Sequence, residues 1–393
     1  MPMKILYVYS SDKNRDVYCT LVRLGYTIVE YERRQENSQL QEEEIELLIQ
    51  YIKNNGITHL MSTHLIYNVA VAAYRTDIKY VSIIWDAPYI KMYTLFGKLD
   101  NCWFSVFDKM DAERFRKAGL KHVLYQPLAV NPYDIHKWNL PRKLKDHYVN
   151  DICFVGSMYS DNAFDEELGE MPANMRAYFE SIFAEAAFQW DGKNRIYGKT
   201  DPEIIKYLQM VVPDFKLENA FELEDRQVFE IVYLVRKLAN IERICVLNML
   251  AEYFNVTCHT YCDSGAEKLK NVRVLPPVVY GEATSMVFAG SKINLNISLK
   301  GIEGGTPKRV MDICGVGGFA LTNYCEETAE LLVEDKEIVM FKTPEELVEK
   351  ADYYLRHEEL RKRIARAGQK KVLENYTYDR QLRELLDWVE KEK

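Results

Sequence analysis

Short apolar runs alternate with helical stretches along most of the chain, and this rhythm restricts the fold more than any other feature. Lys4-Ile-Leu-Tyr-Val-Tyr-Ser10 has the continuous apolar character of a strand buried on both faces. Val17 to Gly25 follows with helical spacing, and Tyr26 to Tyr31 reads as a second strand. Glu42 to Asn54 predicts an amphipathic helix stopped at Asn55-Gly56. Further strand-like runs lie at Ile57 to Met61, Tyr80 to Trp85, Cys102 to Val106 and His122 to Pro127. Strands interleaved with helices make βαβ units and a parallel sheet, because parallel neighbours need a crossover to join them.

The rhythm breaks at Asn131 to Asn150, where Pro132, Pro141 and many charges read as a linker. It restarts at Asp151-Ile-Cys-Phe-Val-Gly156, so residues 1–135 and 151–375 are expected to form two Rossmann-like domains. A length of 393 residues agrees, being too great for one core. Residues 161–243 lack strand patterns and read as a helical insertion. Alternation resumes through strands at 256–261, 272–275, 292–298, 319–322 and 337–341, with a helix from Pro307 to about Cys314. The tail after Pro344 is helical, and 376–393 is read as a helix returning to the first domain. The fold class is therefore α/β, two parallel sheets in tandem with a helical insertion.

Composition narrows the function. With 48% hydrophobic and 28% charged residues the balance is globular, and a net charge of −8 argues against a sequence-independent nucleic-acid partner. No apolar run reaches the length of a membrane span, and Met1 to Ser11 lacks a secretory signal. The eight cysteines are scattered among apolar neighbours, which suits buried thiols and a cytoplasmic location. Cys258-His259-Thr260-Tyr261-Cys262 has no second pair at zinc spacing and reads as a strand, so no metal site is expected.

Open parallel sheets bind ligands beyond the carboxyl ends of their strands. Two such places stand out. Gly156 and Ser157 end a buried strand and bring backbone amides close to a ligand. Ser291 to Ser298 leads into Gly301-Ile-Glu-Gly304-Gly305-Thr306-Pro-Lys-Arg309, a glycine turn feeding a helix start, which suits an anion. Arg309 would add a bidentate contact to phosphate, and Asp312, one turn on, would accept hydrogen bonds from ribose hydroxyls. The opposing reading is a surface pair at i, i+3. In the first domain, Asp86 ends an apolar strand before Pro88 and is a candidate general base for an acceptor hydroxyl. Asp12 and His64 are lesser candidates, and Trp85, Tyr89 and Tyr93 are candidate sugar-stacking rings or core. P-loop, dinucleotide Gly-x-Gly-x-x-Gly and Gly-x-Ser-x-Gly signatures do not occur.

The stretch Ser291 to Arg380 resembles the C-terminal domain of CgeB-like (spore-maturation type) glycosyltransferases, among the family 1 glycosyltransferases of GT-B fold. Ser291-Lys-Ile-Asn-Leu-Asn, Thr306-Pro-Lys-Arg309-Val-Met-Asp312, Gly317-Gly-Phe-Ala-Leu-Thr322, Arg363-Ile-Ala-Arg-Ala-Gly368 and Tyr376-Thr-Tyr-Asp-Arg380 carry it. Weaker likeness reaches Phe154 to Ser157, Pro276 to Tyr280 and Trp85 to Pro88. The resemblance implies a nucleotide-sugar donor, UDP-linked, in the second domain, an acceptor against the first, and no metal. It places Asp312 at the ribose and Thr306 at the diphosphate, with Gly156, Ser157, Tyr280, Gly304, Gly305 and Arg309 around the nucleotide. Two departures stand out. The Glu-x7-Glu motif of the retaining relatives becomes Glu303 and Asp312, and Ser157 to Asn162 carries no basic residue. Diphosphate charge then falls to Arg309, helped by Lys308 or Lys300. Transfer of a sugar to a glycan or protein hydroxyl is the expected reaction. Alternatives are a nucleotide-sugar epimerase of the same fold and a non-catalytic glycan- or nucleotide-binding protein.

Overall fold

The computed structural model describes residues 3–10, 14–33, 40–138, 149–211, 223–261 and 265–392. The chain forms two compact units. The first holds residues up to Asn131 and from Tyr376 on, with Leu223; the second holds the rest of Pro132–Asn375.

The first unit is built on six parallel strands, β1 (Lys4–Tyr9), β2 (Thr27–Glu32), β3 (His59–Thr63), β4 (Lys79–Ile84), β5 (Cys102–Val106) and β6 (His122–Tyr125), in the order β2-β1-β3-β4-β5-β6. Alternate side chains leave opposite faces of a strand. Leu6 and Val8 of β1 thus enter one core with Tyr80, Phe104 and residues of the Glu42–Asn55 and Tyr67–Thr76 helices. Ile5 and Tyr7 enter a second core with Met61, Val81 and Trp103 on the other face. The Arg15–Arg23 and Tyr378–Lys391 helices cover that second face, the latter through Tyr378, Leu382, Leu385, Leu386 and Val389. A backbone bridge between Val130 and Thr377 fixes where the later segment joins.

The second unit repeats the scheme with β7 (Asn150–Val155), β8 (Val256–His259), β9 (Arg273–Leu275), β10 (Ser291–Asn296), β11 (Ala320–Asn323) and β12 (Val339–Phe341). Their order is β12-β11-β10-β7-β8-β9, all parallel. The order reverses between β7 and β10, which pair in register from Ser291–Asn150 to Leu295–Phe154. At such a switch point the two connections leave in opposite directions and open a crevice at the carboxyl ends. Phe154, Ile293, Leu295 and Ile297 carry the core beneath it.

Between β7 and β8 the chain is helical, as its pattern predicts, and has its own core of Phe164, Phe179, Phe183, Phe229 and Tyr233. Fully buried Glu230 accepts from the amides of Gly198 (2.8 Å) and Thr200 (2.9 Å), tying down the loop it faces. The Val235–Ala251 helix runs unbroken through Arg243, where the sequence pattern marks the end of the insertion. One helix therefore belongs both to the helical cluster, through Leu238, and to the sheet core, through Val246, Leu247 and Leu250.

Candidate functional site

The carboxyl ends of β7, β10 and β11 converge on one polar patch in the second unit. After β7 the chain turns at Gly156, with φ of +159°. A methyl group added there would collide with Nη2 of Arg309 and lie 3.0 Å from its Cζ, so the absent side chain makes room for the guanidinium. Ser157 Oγ accepts from the Tyr159 amide at 3.0 Å and closes the turn. Beyond β10 and β11, Asn296 Nδ2 donates to Ser298 Oγ and to Thr322 Oγ1, both at 2.9 Å, and Asn323 Oδ1 accepts from the Ser298 amide at 2.7 Å.

Arg309 lies in the first turn of the Lys308–Val316 helix, as its sequence position predicts. That helix starts one residue later than expected: Pro307 is the capping residue, with extended ψ of 143°, and no side chain caps the first-turn amides. Partly buried Arg309 donates through Nη1 to Asn296 Oδ1 at 3.1 Å, and its Cζ sits 5.3 Å from the centre of the Phe154 ring. A second guanidinium uses the same ring. Arg243, from the Val235–Ala251 helix, has its Cζ 5.3 Å from Phe154 and 4.6 Å from Tyr159. Burial first, and then the positive charge of Arg243, lower the pKa of Arg309 to about 10. Among the described residues neither arginine is ion-paired with a carboxylate.

The other candidates of this unit are mostly occupied. Lys308 pairs with Asp312 and donates to the Tyr280 hydroxyl at 2.8 Å, so Lys308, Asp312 and the exposed Tyr280 form one group beside Arg309. Thr306 is fully buried and its hydroxyl engages Glu327 and Thr328, which leaves its backbone as the part that addresses the helix start. Gly304 and Gly305 are buried in the same turn. Lys300 does not reach the patch. It pairs with fully buried Glu242 at 3.1 Å and donates to Gln189 O at 2.8 Å, which anchors the glycine turn to the helical insertion.

In the first unit, His64 directly follows β3 and adopts the left-handed region, with φ of +60°. Its Nε2 lies 3.6 Å from Oδ2 of Asp86, whose side chain is 71% exposed. The structure thus brings two separately chosen candidates together. Burial lowers the pKa of His64, with Asp86 opposing, so the ring is held neutral near pH 7. Its Nδ1 is buried without a hydrogen-bond partner among the described residues, and Asp86 is the more exposed member of the pair. Tyr89 packs on the ring at 5.1 Å, Trp85 packs toward Tyr378, and Tyr93 belongs to the core. Asp12 lies outside the described residues. Among the described residues, no three His, Cys, Asp or Glu side chains are grouped as metal ligands, and Cys258 and His259 lie in β8.

Asn296 and Tyr159 lie in or beside the stretches the sequence marks but are not singled out by it, and Arg243 escapes a sequence reading altogether. Arg243 stands in a segment without strands, and only the helix that carries it back under the sheet brings it to the turn. The one available signal was negative, namely the absence of a basic residue in Ser157 to Asn162.

Residues 233–387 match the model of the glycosyl transferase-like family. No curated protein sequence matches the chain. Among solved structures, a glycosyltransferase from Rickettsia africae superposes with a TM-score of 0.56 at 10% identity, covering 100% of both chains. HepE from Anabaena, in complex with UDP and glucose, gives 0.55 at 10% identity over 98% of this chain and 99% of its own. Sucrose-phosphate synthase from Thermosynechococcus elongatus gives 0.51 at 10% identity over 100% of both. The fold is GT-B. At these identities the likeness speaks for the architecture alone, and the GT-B assignment agrees with two six-stranded parallel sheets. No helix among the described residues is long and apolar enough to cross a membrane.

Proposed function

We propose that the chain is a glycosyltransferase of the CgeB-like type, moving a sugar from a UDP-linked donor to a glycan or protein hydroxyl, in the cytoplasm and without a metal ion. The observation that carries this reading is the helix start at Lys308 and Arg309, set at the β7–β10 switch point with a guanidinium that has no ion-paired carboxylate among the described residues. A departing nucleoside diphosphate gains negative charge as the glycosidic bond breaks. First-turn amides and Arg309 are fixed before the reaction and stabilise that charge without reorganising. Asp312, pre-oriented by Lys308, is in position to hold the ribose, and Tyr280 with Gly156 and Ser157 borders the nucleotide. The matched family model and the complex of HepE with UDP and glucose support a nucleotide-sugar donor. Asp86 is the proposed base: a solvent-facing carboxylate beside a neutral histidine can take a hydroxyl proton.

The test is turnover of UDP-sugars by an Arg309→Ala variant. Loss of one preorganised donor to a developing oxyanion costs roughly a hundredfold or more in rate. Turnover should fall by that order, with the thermal midpoint retained. Unchanged turnover removes Arg309 from the mechanism. Incubation of the wild-type chain with donor alone should give slow hydrolysis, whereas an epimerised sugar would favour an epimerase.

A further inference from the structure

Arg243 is the most buried cation beside the switch point, with 3% exposure. Its Nη1 donates to the Ser157 carbonyl at 2.5 Å and its Nη2 to the Ile297 carbonyl at 2.7 Å. Ser157 lies just beyond β7 and Ile297 just beyond β10, so this one guanidinium clamps both sides of the crevice from beneath. Its Nε is buried with no hydrogen-bond partner among the described residues. Neighbouring Glu242 directs Oε1 to Lys300 and to the Phe188 amide at 3.0 Å, and reaches Arg243 only through its charge. A cation taken out of water is costly to keep, even with two carbonyls, the Tyr159 hydroxyl and the charge of Glu242 answering it in part. An apolar side chain would fill the same space more cheaply if packing were all that was required. Arg309 shares the Phe154 ring with it, so two positive charges stand together and, among the described residues, no carboxylate is ion-paired with either. Such an arrangement suits an anion of more than one charge.

We propose that Arg243 is a positioning residue for the donor: it holds the Gly156-Ser157 turn against β10 and supplies a standing charge that makes the site prefer a nucleoside diphosphate over a monophosphate. This inference rests on the glycosyltransferase reading and names a role within it that the turn itself, lacking any basic residue, does not supply. Both terminal nitrogens of Arg243 are engaged by the Ser157 and Ile297 carbonyls. Arg243 acts through the backbone it clamps and through the field it adds at Arg309.

The experiment compares calorimetric affinities for UDP, dTDP, GDP and ADP, and for the monophosphate matching the tightest binder, in the wild-type chain, Arg243→Gln and Arg243→Lys. In Arg243→Gln the diphosphate should lose about tenfold or more in affinity while the monophosphate changes much less, so that the preference collapses. Arg243→Lys keeps the charge and should keep most of the preference, even with weaker binding overall. Equal loss for both ligands in Arg243→Gln, with Arg243→Lys no better, marks a purely structural residue and overturns the inference. Should Arg243→Gln fail to fold, Arg243→Lys decides: a folded variant without the preference overturns it. A wild-type chain that binds none of the four diphosphates sinks the glycosyltransferase reading itself. A wild type that binds, matched by an unaltered Arg243→Gln, sinks only the role of Arg243.

Discussion

Single residues in this site matter through what they leave room for as much as through what they touch. Gly156 is the clearest case, because its missing side chain is the space that Arg309 occupies. Gly156→Ala should displace the guanidinium from Asn296 and cut nucleotide affinity by about tenfold, on the order of one charge-assisted hydrogen bond. Calorimetry with UDP checks this, and affinity equal to wild type would show that the turn yields without disturbing the arginine. Gly156, Arg309, Lys308 and Asp312 stood out in the sequence because each lies within a few residues of a strand end or a helix start, but the sequence reading set Asp312 against Arg309 at i, i+3, whereas its partner is Lys308 at i, i+4. Arg243 did not stand out, since its position in the chain carries no sign that its helix passes beneath β7 and β10. The fate of Lys300 was equally hidden. It looked like a phosphate ligand until its buried partner Glu242 was placed beside it.

At the scale of elements, strands were easier to find than some helices, for a physical reason. A strand in a doubly covered parallel sheet is apolar throughout, and that signal survives in a few residues. The Tyr67–Thr76 helix is Tyr-Asn-Val-Ala-Val-Ala-Ala-Tyr-Arg-Thr, small and apolar nearly all round, so it gives no helical period to read. The Tyr378–Lys391 helix is the opposite case. Leu382, Leu385, Leu386 and Val389 line one face and are at most 1% exposed, and they close the second core of the first unit. Leu385→Ala there should lower stability by about 2–5 kcal/mol, the usual cost of emptying a leucine site in a packed core. Denaturant unfolding measures it, and a loss below about 1 kcal/mol would mean the helix is not integral to that core.

For the whole molecule, pH is the relevant lever. His59, His64 and His122 all belong to the first unit, and burial lowers the pKa of each. Glu390 opposes the shift at His59, Asp86 at His64 and Glu392 at His122 without cancelling it. A histidine whose folded pKa is depressed is protonated more readily in the unfolded chain. Stability is therefore full above the unfolded value and falls as pH drops below about 6.5. Thermal midpoints taken from pH 8 to pH 5 should decline through that window, and His64→Asn, which tolerates the left-handed backbone, should lessen the decline. A midpoint that is flat across the window, or the same slope in the variant, counts against this assignment.

The first sheet is sealed on one face by residues that follow the entire second unit in the sequence. During synthesis that face, with Ile5, Tyr7 and Met61 on it, waits for Tyr378–Lys391 to leave the ribosome. By then the later-coded unit has already emerged, so assembly inverts the order of translation: the half begun first is completed last, and its apolar face stays unsealed in the meantime.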